Sequence, residues 1–260
     1  MIKVFAFAGS CAGEQSSTVL YADSLAKVFT KAAAEKGEEV SYKRVSGDML
    51  DIKYCRSCVS CFKNGICPLD KLDDMPKLKQ DFLDSDIIFF GSPVYLWEMS
   101  GITKSVLDRI SYWAHTYELA GKIGVVYAVT DNSHAREVAE NLGVLLNFTG
   151  LTIVKASYAF KSTNKPNLYL EEDMQPEYEE ISRLLLEARE TPEKFITPFH
   201  ERTFIGRKKV NLMAEKFAEM LDDTLWYETK TCRERCINDY KTYSEFIIDA
   251  VNRVRRNDIS

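Results

Sequence analysis

Apolar runs and polar breaks alternate along the first 160 residues with the rhythm of strands separated by helices. Ile2-Lys-Val-Phe-Ala-Phe-Ala8 is nearly continuous in apolar residues and stops at Gly9-Ser10, as a strand buried on both faces does. After a polar loop, Val19, Leu20, Leu25, Ala26, Val28 and Phe29 recur at helical spacing up to Gly37. Glu39 to Val45 alternates like a second strand, and Asp86-Ile-Ile-Phe-Phe90, Lys122 to Val129 and Leu151 to Ser157 read as three more. Helical patterns fill the intervals: one opened by Asp73-Asp74, one from Ile102 to Trp113 and one from Ala135 to Phe148. Strands alternating with helices predict an α/β fold. Its core is a doubly wound five-stranded parallel sheet covered on both faces, with strand order 2-1-3-4-5.

The character changes after about residue 160. Lys161-Ser-Thr-Asn-Lys-Pro-Asn167 is a polar, breaker-rich linker, and three helical stretches follow, around 172–189, 207–227 and 239–256. The expected organisation is a sheet domain over 1–160 and a C-terminal helical extension over 161–260. The extension is either a lid on the sheet domain or a partner-binding appendage.

Composition narrows the class. Hydrophobic residues make up 45 % of the 260 and charged residues 28 %, enough for a sizeable core and against wholesale disorder. No apolar run approaches the roughly 20 residues of a membrane helix. The net charge of −5 argues against a nucleic-acid surface, and Arg253-Val-Arg255-Arg256 reads as a solvated helix end. The apolar stretch from Met1 to Gly9 is too short for a signal peptide, so a reducing cytoplasm is the expected compartment.

Four of seven cysteines fall in one short run, Cys55-Arg-Ser-Cys58-Val-Ser-Cys61-Phe-Lys-Asn-Gly-Ile-Cys67-Pro68. The spacing C-x2-C-x2-C-x5-C aims successive sulfurs at one centre, and the simplest reading is one iron–sulfur cubane with Cys67 closing on it. A structural zinc site and unligated thiols stay open as alternatives. An odd cysteine count with no signal peptide fits a disulfide framework poorly. Cys232 and Cys236 share a helix face, which suits a redox pair, a metal or simple burial. His115, His134 and His200 are scattered and form no legible catalytic set.

In a doubly wound sheet, ligands sit beyond the carboxyl ends of the strands. Three loops should meet there. Gly9 to Thr18 opens a helix with the hydroxyls of Ser10, Ser16, Ser17 and Thr18 and no Lys or Arg, so a phosphate would be met by neutral donors; an ordinary capping turn explains the same residues. Ser92-Pro-Val-Tyr95-Leu-Trp97 follows a buried strand with two aromatics that either stack on a flat ring or belong to the core. Thr130-Asp-Asn-Ser-His134 is polar and reaches the same place.

The Gly9-Ser10 loop with Ser16-Ser17-Thr18, the Gly91-Ser-Pro-Val-Tyr95 segment and Ser100-Gly-Ile-Thr-Lys-Ser-Val-Leu-Asp-Arg109 together resemble the NAD(P)H-dependent FMN reductase family of flavodoxin-like proteins. The cysteine run followed by Leu72-Asp-Asp-Met75 resembles its iron–sulfur flavoprotein branch, over roughly residues 1–160. The resemblance implies that Ser10, Ser16, Ser17 and Thr18 hold the FMN phosphate. It implies that Pro93, Val94, Tyr95, Leu96 and Trp97 line the isoalloxazine and that Thr130, Asp131, Asn132 and Ser133 close the third side. Cys55, Cys58, Cys61 and Cys67 would ligate a [4Fe–4S] cluster. The first loop departs from the family at Cys11 and Ser17, and the third lacks the usual glycines, which leaves Asp131, Asn132 and His134 less secure as flavin contacts. The implied activity is an FMN-dependent oxidoreductase passing electrons between FMN and the cluster, with NAD(P)H or a ferredoxin-type carrier as partner and a homo-oligomeric state. A cluster-free NAD(P)H-dependent FMN or quinone reductase, and a non-catalytic redox carrier docking a partner through its helical tail, are the alternatives.

Overall fold

The computed structural model describes residues 1–161, 173–216 and 237–256. Cys232 and Cys236, most of the linker and the far end of the stretch predicted over 207–227 lie outside them.

Five strands form one parallel sheet: β1 (Ile2–Ala8), β2 (Val40–Ser46), β3 (Ile87–Tyr95), β5 (Ile123–Thr130) and β6 (Thr152–Phe160), in the order β2-β1-β3-β5-β6. This is the predicted order, and the fold is flavodoxin-like. The sequence reading missed only β4 (Glu98–Met99), two residues that turn back antiparallel on the end of β3. Too short for a periodic signal, β4 is visible only through its pairing.

Because side chains alternate across a strand, each sheet face collects every second residue. Phe5, Phe7, Ile88, Phe90, Val126 and Ala128 face one layer of helices. That layer comprises α3 (Met75–Asp84), α4 (Gly101–Arg109) and α6 (Ala135–Asn147). Val4, Ala6, Ile87, Phe89, Val125 and Tyr127 face the other, made by α1 (Ser17–Glu35) and α7 (Gln175–Glu190). Two shorter helices, α2 (Ser60–Asn64) and α5 (Trp113–Thr116), complete the elements before the tail. The first helix of the C-terminal region is thus a structural layer of the sheet, with Tyr178, Ile181 and Leu185 fully buried against it.

The rest of the described tail, α8 (Pro198–Lys216) and α9 (Tyr243–Arg255), forms its own apolar cluster from Phe204, Tyr243, Phe246, Ile247 and Val251 around Tyr117. It docks beside the turn before β5. Gly121 there has φ +87°, and a Cβ would lie 2.7 Å from the Ala250 carbonyl oxygen of α9. This turn precedes the amino end of β5, so α8 and α9 sit at the opposite end of the sheet from the ligand loops. The described tail is not a lid over those loops.

Candidate flavin and cysteine sites

Three loops converge at the carboxyl end of the sheet, after β1, β3 and β5. Ser10 and Ser16 are buried, and each Oγ accepts a local backbone N–H, from Ala12 and Thr18 respectively, both at 3.3 Å. Ser16 is the N-cap of α1. A hydroxyl that accepts one bond still has its own proton to donate, so capping and anion binding are compatible. Ser17 begins α1 half-buried, and Thr18 is buried, its carbonyl accepting the Tyr127 hydroxyl at 3.0 Å. Tyr127 stacks on Tyr21 at 4.3 Å, which fixes the first turn of α1 to the centre of the sheet. Arg44, which reaches this loop at Glu14, is bound by Glu14 and Asp23 and is no free phosphate partner.

The second loop is a two-residue hairpin. Val94 pairs with Met99 and Tyr95 with Glu98, leaving Leu96 and Trp97 at the turn with φ of 49° and 68°. Two positive φ values define the type I′ turn, which usually takes Asn-Gly. Bulky residues there cost of order 1–3 kcal/mol each. Pro93 is buried and Val94 half-buried, but Tyr95, Leu96 and Trp97 are 58 %, 97 % and 66 % exposed, so these three are not core residues.

The third loop answers the second. Thr130 is buried and its Oγ1 accepts the Asn132 N–H at 3.2 Å, while Asp131 and Asn132 are exposed and Ser133 half-buried. His134, also at positive φ, stacks on Trp97 at 4.4 Å with the rings 15° apart. Sequence spacing gave no sign of this pair, which ties two loops nearly forty residues apart.

A serine knot joins the site to α4. The Ser100 hydroxyl donates to the Gly9 carbonyl at 2.6 Å, and its backbone N–H donates to Ser92 Oγ at 3.0 Å. The same oxygen caps α4 by accepting the Thr103 N–H. The end of β1, the end of β3 and the start of α4 therefore share one buried residue.

The other end of α4 holds the cysteine loop. Cys55, Cys58, Cys61 and Cys67 all line one cavity of about 260 Å³, together with Val59, Phe62, Asp108 and Arg109. Cys55 and Cys58 are exposed, Cys61 is half-buried and Cys67 is buried, all four as free thiols. Ser57 and Val59 have φ of 52° and 56°; a β-branched residue there is an outlier, and it turns the chain between successive cysteines. The Ser57 N–H donates to Cys55 Sγ at 3.4 Å. Burial raises the Cys61 thiol pKa, and the sulfurs of Cys67 and Cys55 raise it further against two backbone N–H groups.

Among the described residues no group of three or more His, Cys, Asp or Glu side chains stands close enough to hold a single metal ion. A cubane attaches each cysteine to a separate iron, so its ligands stand around a volume. Four thiols around one cavity fit that demand.

The neck of the loop is latched by Asp73 and Asp74, read from the sequence as a helix opening and as part of the iron–sulfur resemblance, together with Asp51, Asp70, Lys79 and Arg109. Asp51 and Asp74 exchange backbone contacts, Asp51 N–H to Asp74 Oδ2 at 2.8 Å and Asp74 N–H to the Asp51 carbonyl at 3.1 Å. Asp73 does accept the Met75 N–H at the start of α3, but it also accepts from Lys53 N–H and from Arg109. Arg109 is 1 % exposed; it donates to Asp73, to Asp70 at 2.7 Å and to the Lys53 carbonyl at 2.9 Å. Lys79 completes the network on Asp70 at 2.6 Å. Burial works to raise the Asp73 pKa, yet the bonds from Arg109, Lys53 and Met75 outweigh it and the carboxyl is held below its usual value. Burial also works against the charge on Arg109, but the two aspartates and the Cys67 sulfur hold its pKa above the ordinary one.

Comparisons with known proteins bear on the family and the fold. A family profile described as NADPH-dependent FMN reductase matches residues 2–165. An iron–sulfur flavoprotein of Methanocaldococcus jannaschii is 29 % identical over 128 residues, 49 % of this chain and 62 % of that protein. One from Archaeoglobus fulgidus is 33 % identical over 132 residues, 50 % of this chain and 56 % of that protein. The chain thus spans about three-fifths of the length of these curated relatives. Among solved structures, an NADH:FMN oxidoreductase in its apo form superposes with a TM-score of 0.53 at 17 % identity, covering 72 % of this chain and 90 % of that one. RosB with bound 8-demethyl-8-formylriboflavin 5′-phosphate superposes at 0.56 and 13 % identity, covering 86 % and 89 %. At such identities these two likenesses speak for the fold alone. With a profile match across more than half its length, the chain belongs to the NADPH-dependent FMN reductase family.

Proposed function

We propose that this protein is an iron–sulfur flavoprotein, an oxidoreductase that passes electrons between FMN at the carboxyl end of the sheet and a [4Fe–4S] cluster in the cysteine cavity. The observation that carries the reading is the placement of the two sites at opposite ends of one short helix. Ser100 at the start of α4 is bonded to the flavin loops, and Arg109 at its end lines the cavity of the four cysteines. Nine steps of 1.5 Å put Ser100 and Arg109 roughly 13–14 Å apart along the helix.

Bound FMN supplies two-electron chemistry and the cluster one-electron exchange; the chain's own residues bind, orient and shield. Ser10, Ser16, Ser17 and Thr18 would hold the phosphate with neutral donors and the N-terminal dipole of α1. Pro93, Val94 and the exposed faces of Tyr95, Leu96 and Trp97 would line the ring. Thr130, Asp131, Asn132 and Ser133 would close the third side, with His134 steadying Trp97 from behind. Cys55, Cys58, Cys61 and Cys67 would ligate the iron. The electron partner is NAD(P)H or a ferredoxin-type carrier.

The test is a visible spectrum of protein purified without oxygen, with iron and sulfide analysis of the same sample. Flavin bands with a broad shoulder and about four irons per chain are expected. Cys58→Ala should lose the iron and keep the FMN. Flavin without iron, together with rapid NAD(P)H oxidation, would instead favour a cluster-free reductase, the reading suited to two exposed cysteines left as thiols.

A further inference from the structure

We propose that Arg109 is a positioning residue for the cluster: its guanidinium Nε–H donates to a cluster sulfur in the four-cysteine cavity and fixes a positive charge against it. The inference rests on the cluster reading above and assigns a role to a residue outside the cysteine motif.

The argument is a count of donors. A guanidinium carries five N–H bonds in a rigid fork. Four are spent on the latch: Nη1 on the Lys53 carbonyl and Asp73 Oδ2, Nη2 on Asp70 Oδ1 and Asp73 Oδ1. The fifth, on Nε, is buried and finds no acceptor among the described residues. A buried donor left without a partner is rare and unfavourable, and its usual explanation is a group that the bare chain lacks. The side chain is 1 % exposed and lines the same cavity as all four cysteines. Its fork cannot turn toward another acceptor, because two aspartates and a carbonyl already hold both terminal nitrogens.

Asp70, Asp73, Lys79 and Arg109 balance in formal charge, and of the four Arg109 is the one that lines the cavity; Asp108, which also lines it, is paired with Lys104. A cubane with four thiolates is anionic and gains a further negative charge on reduction. A fixed donor and cation at its edge favour the reduced form and raise its potential, as hydrogen bonds to cluster sulfurs do generally. The Ser57 N–H on Cys55 Sγ is a first such bond within the loop, and Arg109 would supply one from the helix beneath it.

The test is a redox titration of the full chain, reconstituted without oxygen and followed by electron paramagnetic resonance, comparing wild type with Arg109→Lys. Lysine keeps the charge for the aspartates and deletes the Nε donor. The expected result is full iron and FMN, with the cluster's one-electron reduction equilibrium lowered about tenfold or more (about 59 mV). The flavin midpoint should stay in place. Full iron with an unmoved cluster midpoint overturns the role of Arg109 and leaves the cluster reading intact. Wild type that takes up no iron overturns both. Should Arg109→Lys lose its cluster or its fold, pulsed resonance on reduced wild type labelled with 15N-arginine decides. Arg56 also lines the cavity, so the same label is read in Arg56→Lys: a 15N coupling to the cluster spin that persists there supports the proposal, and its absence overturns it.

Discussion

Replacing Asp73 with Asn probes the latch with the smallest change of shape. The Asp73 carboxylate is fully buried and accepts from Lys53 N–H, Met75 N–H and both terminal nitrogens of Arg109. Asn keeps one acceptor oxygen but turns an N–H₂ toward groups that are all donors, and Arg109 loses its closest counter-charge. Breaking a buried pair by removing one partner costs about 3–5 kcal/mol. Asp70 still faces Arg109 at 2.7 Å, so the lower end, about 3 kcal/mol, is expected at pH 7. The sign with pH follows from the direction of the shift. The Asp73 pKa is lowered on folding, so its contribution is complete above the unfolded value of about 3.9 and disappears as pH falls through the folded one. Urea unfolding of wild type and Asp73→Asn, both with the same excess of FMN, should therefore differ by about 3 kcal/mol at pH 7 and converge as pH drops below about 4. A difference under about 1 kcal/mol at pH 7, typical of an exposed ion pair, would refute the latch as a buried network. So would a gap that stays constant through the acid range.

Three further substitutions test other parts of the architecture. Gly91→Ala would place a Cβ 2.0 Å from Tyr127 Cζ, and that buried ring, stacked on Tyr21, has no room to retreat; a loss of about 1–3 kcal/mol in thermal or urea melts is expected, with weaker FMN retention. Leu96→Asn relieves a left-handed backbone at a side chain 97 % exposed and should stabilise the FMN-free protein by about 1 kcal/mol while weakening FMN retention through loss of an apolar ring contact; a destabilised variant would mean that Leu96 makes a contact the monomer does not reveal. Gly121→Ala combines φ +87° with a clash on α9, so it should destabilise by more than about 1 kcal/mol and loosen the tail in hydrogen exchange. Flavin affinity should hold in that variant, since the tail docks at the other end of the sheet.

The sheet was legible because its strands are long, nearly pure in apolar residues and separated by helical periods. Ile2–Ala8 and Ile123–Thr130 could hardly be read otherwise. The three ligand loops were legible for the same reason, since strand ends locate them. What stayed hidden depends on single contacts across long separations. No local pattern announces that Trp97 meets His134, or that Arg109 reaches back 36 residues to Asp73. The Leu96-Trp97 turn escaped notice because it lacks the glycine or asparagine that usually marks one. The role of helix 175–190 was also out of reach. Its periodicity shows an apolar face, but only the packing shows that face against β5, β6 and α1, where Tyr178 meets Tyr21 edge-on.

The placement of α4 explains why these hidden contacts matter. A helix of nine residues is too short to be stable by propensity alone. It is fixed at both ends by buried polar groups: Ser100 on Gly9 and Ser92, Arg109 on Asp70, Asp73 and Lys53. Each of these bonds crosses to a loop that ends at one of the two sites. Loosening either end should therefore move one site relative to the other without disturbing the sheet. The serine end governs where the flavin loops sit, and the arginine end governs where the cysteines sit. On the proposed function, an electron path between FMN and the cluster would depend on a rigid span set by the helix and its two anchors, and substitutions at Ser100 and at Arg109 should change transfer between the sites while leaving the fold of residues 2–8 and 123–130 intact.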